Sequence, residues 1–117
     1  MTFENAADFG GTFQYCRSLK SLDLSAVNNK NNVATNKMFK GCTSLEYIYT
    51  TEATTANGNY GFQKSKISNT CADMFTNCTS LSGHNGTTFA AKRTTDKTFA
   101  VVDRPGQEGY FTKKSGN

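Results

Sequence analysis

No run of apolar residues in this sequence approaches the ~20 that a membrane-spanning helix requires, and insertion in a membrane is not expected. Histidine occurs once, at His84, and the four cysteines never form Cys-x-x-Cys. A zinc site would therefore lack both paired thiolates and a spaced imidazole. The same scarcity removes the enzyme readings in turn. A Cys–His dyad would have to use His84, which stands in Gly83-His84-Asn85-Gly86 and reads as an exposed turn residue. Gly10-Gly11 lacks the rest of a phosphate-binding loop, and Gly58-x-x-Gly61 reads as an ordinary loop. Asp23 and Glu46 are the nearest thing to a carboxylate pair, and without a pocket they read as solvated positions. No catalytic residue, metal or cofactor is expected.

Apolar residues are also scarce, at 36% of the chain, and polar chains often fail to bury enough surface to offset chain entropy. Two features argue against disorder: aromatics reach 12%, and the apolar residues fall in clusters. With 117 residues the chain is one domain at most, with a modest core. Small units that stack on one another reconcile a thin core with stability. The net charge of +4 comes from 13 basic residues, of which only Lys92-Arg93 and Lys113-Lys114 are adjacent pairs. Nucleic-acid binders concentrate positive charge on one face, so this charge reads as solvation and no nucleic acid is expected as partner. The opening Met1-Thr2-Phe3-Glu4-Asn5 lacks the basic and apolar regions of a secretory signal. A mature or excised fragment would look the same.

What the sequence does have is one phrase three times. It reads Phe13-Gln14-Tyr15-Cys16-Arg17-Ser18-Leu19, then Phe39-Lys40-Gly41-Cys42-Thr43-Ser44-Leu45, then Phe75-Thr76-Asn77-Cys78-Thr79-Ser80-Leu81. Phe, Cys, Ser and Leu hold fixed offsets, and Met38 and Met74 precede the second and third copies. Phe39 follows Phe13 by 26 residues and Phe75 follows Phe39 by 36. The residues before each Phe suit a short helical turn with Met and Phe on one side, ended by Gly41 or Asn77. Leu19, Leu22 and Leu24 then point inward along a short extended run, as do alternate residues of Leu45-Glu46-Tyr47-Ile48-Tyr49.

No copy can bury its Leu row alone. The expected fold is therefore an α/β solenoid of about three coils, like a leucine-rich repeat, with a parallel strand ladder. Residues pointing away from the Leu row are the candidate binding face: Ser21 and Asp23 in the first coil, Tyr47 and Tyr49 in the second, then Gly83 and Asn85. Tyrosine offers contact area at low entropy cost. The plainer alternative is that both tyrosines only cover surface between coils or over the insert at 50–68. Cys16, Cys42 and Cys78 share one repeat position and read as buried free thiols. A Cys71–Cys78 bridge stays open as an alternative in an oxidising compartment. The Asn-x-Thr triplets at Asn77 and Asn85 would matter only in a eukaryotic secretory route.

After Leu81 the period breaks. Residues 98–103 and 109–113 favour β structure, and Pro105-Gly106 between them suits a type II turn. A β-hairpin capping the last coil is expected over 83–117, with Phe99, Val101, Tyr110 and Phe111 as its contacts. Residues 1–82 then form the repeats. The N-terminus shows no comparable cap: residues 8–13 look like the middle of a unit, with Phe3 and Phe9 as remnants of an earlier one. A cut piece of a longer array, or a minimal version of one, would look so.

The phrase Met-Phe-x-x-Cys-x-Ser-Leu followed by Leu22-Asp23-Leu24-Ser25 resembles the BspA-type leucine-rich repeat of bacterial surface proteins. Residues 13–25 match most fully, with Thr12 where Met is usual; 38–45 and 74–81 match the first half. Gly83-His84-Asn85-Gly86-Thr87-Thr88-Phe89, Asp96-Lys97-Thr98-Phe99-Ala100 and Gly109-Tyr110-Phe111-Thr112 resemble the terminal segment of such arrays. The resemblance covers about residues 8–113 and is weakest at 50–68. It implies a non-enzymatic module at the bacterial cell surface that adheres to a host or bacterial surface protein. A purely structural cap of a longer array, or a carbohydrate-binding surface, are the alternatives.

Overall fold

A computed structural model describes residues 10–24, 34–50, 67–90, 97–103 and 105–113. Three short strands form one parallel sheet: β1 (Ser21–Asp23), β2 (Tyr47–Thr50) and β3 (Phe111–Lys113), in that order. The repeat explains the parallel pairing of β1 with β2, because each copy of the phrase returns the chain to the same point in the same direction. Leu22, Ile48 and Phe111 stand level in the register and all three are buried. Leu24 is buried too, and its N–H donates to Tyr49 O at 2.7 Å. Leu19, expected inward, is half-buried.

A second ladder joins the Phe-containing turns. In the first repeat Gly11, Phe13 and Tyr15 donate to the carbonyls of Asn36, Met38 and Lys40 at 3.0, 2.9 and 2.7 Å. In the second, Lys37, Phe39 and Gly41 donate to Ala72, Met74 and Thr76, each at 2.9 Å. The phenylalanines ride on this ladder as a column. Phe13 and Phe39 stack with centroids 5.8 Å apart, Phe39 and Phe75 with centroids 5.5 Å apart. Each such aromatic pair contributes about 1 kcal/mol beyond the area it buries.

The fixed Cys offset has a physical cause in the same ladder. The Cys42 thiol donates to Phe13 O, and the Cys78 thiol to Phe39 O, each at 3.0 Å. The Ser80 hydroxyl reaches Thr43 O at 2.8 Å. All four cysteines are free; Cys71 points to Asn69 O at 3.7 Å and forms no bridge to Cys78. Burial pushes the Cys78 thiol up to about 12. Cys42 is raised as well, and burial is again the first cause, outweighing its hydrogen-bonded contact with the Cys16 backbone. A protonated thiol is what donation to a carbonyl requires. Alkylation of the folded protein at a pH of about 8, near the ordinary thiol range, should therefore label half-exposed Cys16 first, and Cys42 and Cys78 only after unfolding. Peptide mass spectrometry of a labelling time course checks this order.

The short helical turns expected before each Phe are absent. Among the described residues the one helical element is a 3₁₀ turn at Lys97–Phe99. The reason lies in the backbone two residues either side of each Phe. Gly11, Lys37 and Asp73 have φ of 68°, 58° and 60°, and Tyr15, Gly41 and Asn77 have 62°, 79° and 65°. Left-handed residues four apart break any α-helix, and they turn the N–H groups sideways to the next repeat instead of along an axis. Gly41 and Asn77 suit this conformation; Tyr15 and Lys37 adopt it at a cost of about 1 kcal/mol each.

The C-terminal segment also departs from expectation. The predicted β-hairpin does not form, because Val102 bridges Phe111 in parallel. Pro105-Gly106 does turn, with Gly106 at φ 85°, but the chain makes a wider return and arrives beside 101–103 in the same direction. Phe111 donates to Val101 O at 3.1 Å and accepts from Asp103 N–H at 3.0 Å. Val102, more than Val101, is the buried residue of the pair. The third repeat contributes no strand to the sheet. Ser82 N–H still donates to Glu46 O at 2.9 Å, and then Ser82 bridges Thr88 in antiparallel sense. β3 takes the place beside β2 that the third repeat vacates. Tyr110 and Phe111 meet Phe75 edge-on, with centroids 5.1 and 6.1 Å away. Phe99 and Phe89 pack on Tyr110.

Asp103 ties this segment together. Its carboxylate is buried and accepts from Asn85 N–H (2.8 Å), Thr87 N–H (2.9 Å), the Thr87 hydroxyl (2.7 Å) and Gly109 N–H (3.1 Å). Gly83 makes room for it, since a Cβ there would lie 2.6 Å from Asp103 Cβ. The insert assigned to 50–68 lies outside the described residues except at its ends: Thr50 is the last residue of β2, and Ile67 is buried in the core. Phe3 and Phe9 lie outside them as well.

Candidate functional site

The sheet has one face in the core and one turned away, as alternation along each strand dictates. On the outer face Ser21 stands level with Tyr47, and Asp23 with Tyr49, which is level in turn with Thr112. Neighbouring strands lie about 4.8 Å apart, so these five side chains form one continuous patch. Ser21 and Asp23 are exposed, Tyr47 is 40% exposed, and Tyr49 and Thr112 are half-buried. The two tyrosine rings stack on each other with centroids 6.1 Å apart and planes at 29°. Each therefore holds the other's rotamer, which lowers the entropy lost when a partner covers them.

The patch offers two phenol groups, the Asp23 carboxylate and the Ser21 hydroxyl around an aromatic centre. The Thr112 hydroxyl oxygen is buried and has no hydrogen-bond partner among the described residues. Glu46 does not join Asp23. Glu46 N–H donates to Lys20 O at 2.7 Å, so Glu46 lies near the start of the ladder while Asp23 lies level with Tyr49.

Four of the six residues expected on the binding face are thus brought together, and Gly83 and Asn85 are not. Asn85 sits in the turn at 83–86, away from the strand ladder, because the third repeat leaves the sheet at Ser82. Gly83, expected beside it, is buried against Asp103 and Gly109. Asn85 lines a different feature, a polar cavity of about 430 Å³ with Thr87, Asp103, Pro105 and Glu108 on its walls. The Asp103 oxygens that reach this region are already taken by the four donors named above. His84 is exposed in the same turn, with its N–H donating to Phe111 O at 3.3 Å.

Thr112 is the patch residue that sequence reasoning missed. The signal was weak: its place beside Tyr49 depends on β3 pairing with β2, which no local pattern announces. The nine residues assigned as repeat framework fare better. Phe39, Cys42, Leu45, Phe75, Cys78 and Leu81 are buried, and Phe13, Cys16 and Leu19 pack half-buried against them. Among the described residues no helix is long and apolar enough to cross a membrane, and no group of three or more metal-ligating side chains forms. Comparison with family models, with curated proteins and with solved structures finds no match to this chain.

Proposed function

We propose that this chain is a non-enzymatic interaction module of the leucine-rich type, exposed at a bacterial cell surface, that binds a host or bacterial surface protein. In this reading the stacked phrases are about three coils of a BspA-type solenoid, and residues 83–117 are its terminal cap. The observation that carries the proposal is the stacked, partly exposed Tyr47–Tyr49 pair beside Ser21 and Asp23. Aromatic anchors with a polar margin are the groups that dominate protein–protein binding energy. The test is binding of the purified domain to a panel of extracellular-matrix and host-surface proteins, beside the Tyr47→Ala/Tyr49→Ala variant. Saturable binding that the variant loses while keeping its circular dichroism supports the proposal. Binding that survives in the variant contradicts the site.

A second reading rests on a different observation. Residues 101–103 cover the outer edge of β3, and Tyr110 and Phe111 cover Phe75. Covering the last unit is what a terminal cap does for a repeat array, and on this reading the chain serves only to close one. A parent protein that binds its partner normally without this segment favours that reading. A carbohydrate ligand on the tyrosine pair is a third, and absence of signal on glycan arrays removes it.

A further inference from the structure

The basic residues look scattered along the sequence, but the turn ladder carries three of them on one stretch: Arg17 at an exposed aromatic ring, and Lys37 and Lys40 on the turn bonded to it. Tyr15 is 51% exposed and holds a left-handed backbone, φ 62°, at the position where the other two repeats place Gly41 and Asn77. Its N–H donates to Lys40 O at 2.7 Å, and its ring lies directly over Gly41, where a Cβ would collide with Cδ1. The Arg17 guanidinium carbon lies over this ring, 5.3 Å from its centre. Lys37 is one turn before Lys40, whose N–H donates to Lys37 O at 3.3 Å. Arg17 and Lys37 are exposed and Lys40 is half-buried.

Among the described residues none of these three cations has a carboxylate partner. Asp73, which holds the position of Lys37 in the third repeat, accepts instead from the Thr76 hydroxyl at 3.0 Å. A guanidinium held over a ring keeps its N–H donors in the plane, ready for a two-pronged contact with an oxyanion. The strained tyrosine and the missing side chain at Gly41 serve to hold it there.

We propose that Tyr15, Arg17, Lys37 and Lys40 form a second interaction surface, on the turn ladder and separate from the tyrosine face of the sheet, that docks an acidic polypeptide segment. Three cations on one stretch of the turn ladder match a short run of carboxylates. A planar guanidinium meets a carboxylate in two parallel hydrogen bonds, and so an acidic peptide is the occupant, with a sulfated glycan as the outcome that contradicts it.

The probe is a fluorescein-labelled hexaglutamate peptide, titrated by anisotropy with the full chain at low and at physiological salt. Binding should be saturable and weaken with salt. Arg17→Gln/Lys37→Gln/Lys40→Gln should weaken it by about tenfold or more. Arg17→Lys, which keeps the charge and loses the planar fork, should weaken it several-fold, as a purely diffuse charge effect would not. Tyr47→Ala/Tyr49→Ala should leave it unchanged, which separates this surface from the function proposed above. Absence of saturable binding, equal binding by the triple variant, or tighter binding of a heparin oligosaccharide than of the peptide would each overturn the proposal.

Discussion

Replacing Phe39 by alanine is expected to lower stability by roughly 3–5 kcal/mol. Its ring is fully buried and stacks on Phe13 on one side and Phe75 on the other. Removing it interrupts the column at its centre and leaves two rings facing a void. The surrounding backbone cannot close over that void, because Phe39 N–H and Phe39 O are both fixed by neighbouring repeats. A domain this size has on the order of 5–15 kcal/mol of stability in total, so the variant should be largely unfolded near its working temperature. Phe13→Ala, at the half-buried end of the column, should cost clearly less. Urea unfolding followed by circular dichroism measures both, and equal losses would show that the column does not act as a stack.

Asp103→Asn should lower stability by about 3 kcal/mol. The asparagine keeps one acceptor oxygen and turns an NH₂ group toward N–H donors that formerly met a carboxylate. Acid should reproduce part of this loss in the native protein. Burial alone would raise the Asp103 pKa, but hydrogen bonds from the Thr87 hydroxyl and from the Thr87, Gly109 and Asn85 N–H groups outweigh it and hold the carboxyl below its ordinary value. With the folded pKa depressed, the stabilisation is fully present above the unfolded value of about 4. It is lost as pH falls through the folded value. Thermal unfolding followed from neutral pH down to about pH 2, below the ordinary carboxylate range, should show the native protein approaching the variant at the acid end. A constant gap between them at all pH values would remove Asp103 as the cause.

These effects divide the molecule into parts that are legible in the sequence and parts that are not. The framework is legible because each of Phe39, Cys42 and Leu45 recurs twice more at the same offsets, so the same burial is stated three times. The strand ladder is legible from Leu22, Leu24 and Ile48. The local conformation is only half legible: Gly41 and Asn77 suggest a turn, but Tyr15 and Lys37 occupy left-handed positions that their residue types do not announce. Reading the Met-Phe segment as helix follows from side-chain spacing alone, which says nothing of where the N–H groups go. Pro105-Gly106 suggests a hairpin, yet the choice between antiparallel return and a parallel place beside β2 is decided by the vacancy that Ser82 leaves. Asn85 falls on a different surface from the one expected for the same reason. Asp103 gives no signal at all, since its role depends on donors from Asn85, Thr87 and Gly109 that only the fold assembles.

The claim beneath all of these is that the three phrases stack in register through their backbones. Amide hydrogen exchange read by NMR tests it most directly. The N–H groups of Phe13, Tyr15, Lys37, Phe39 and Gly41, each bonded to the next repeat, should be protected together with those that join β1 to β2. In Phe39→Ala they should lose that protection together. If those five amides exchange at unprotected rates while the β1–β2 amides remain slow, the phrases do not stack, and the account of both ladders is wrong.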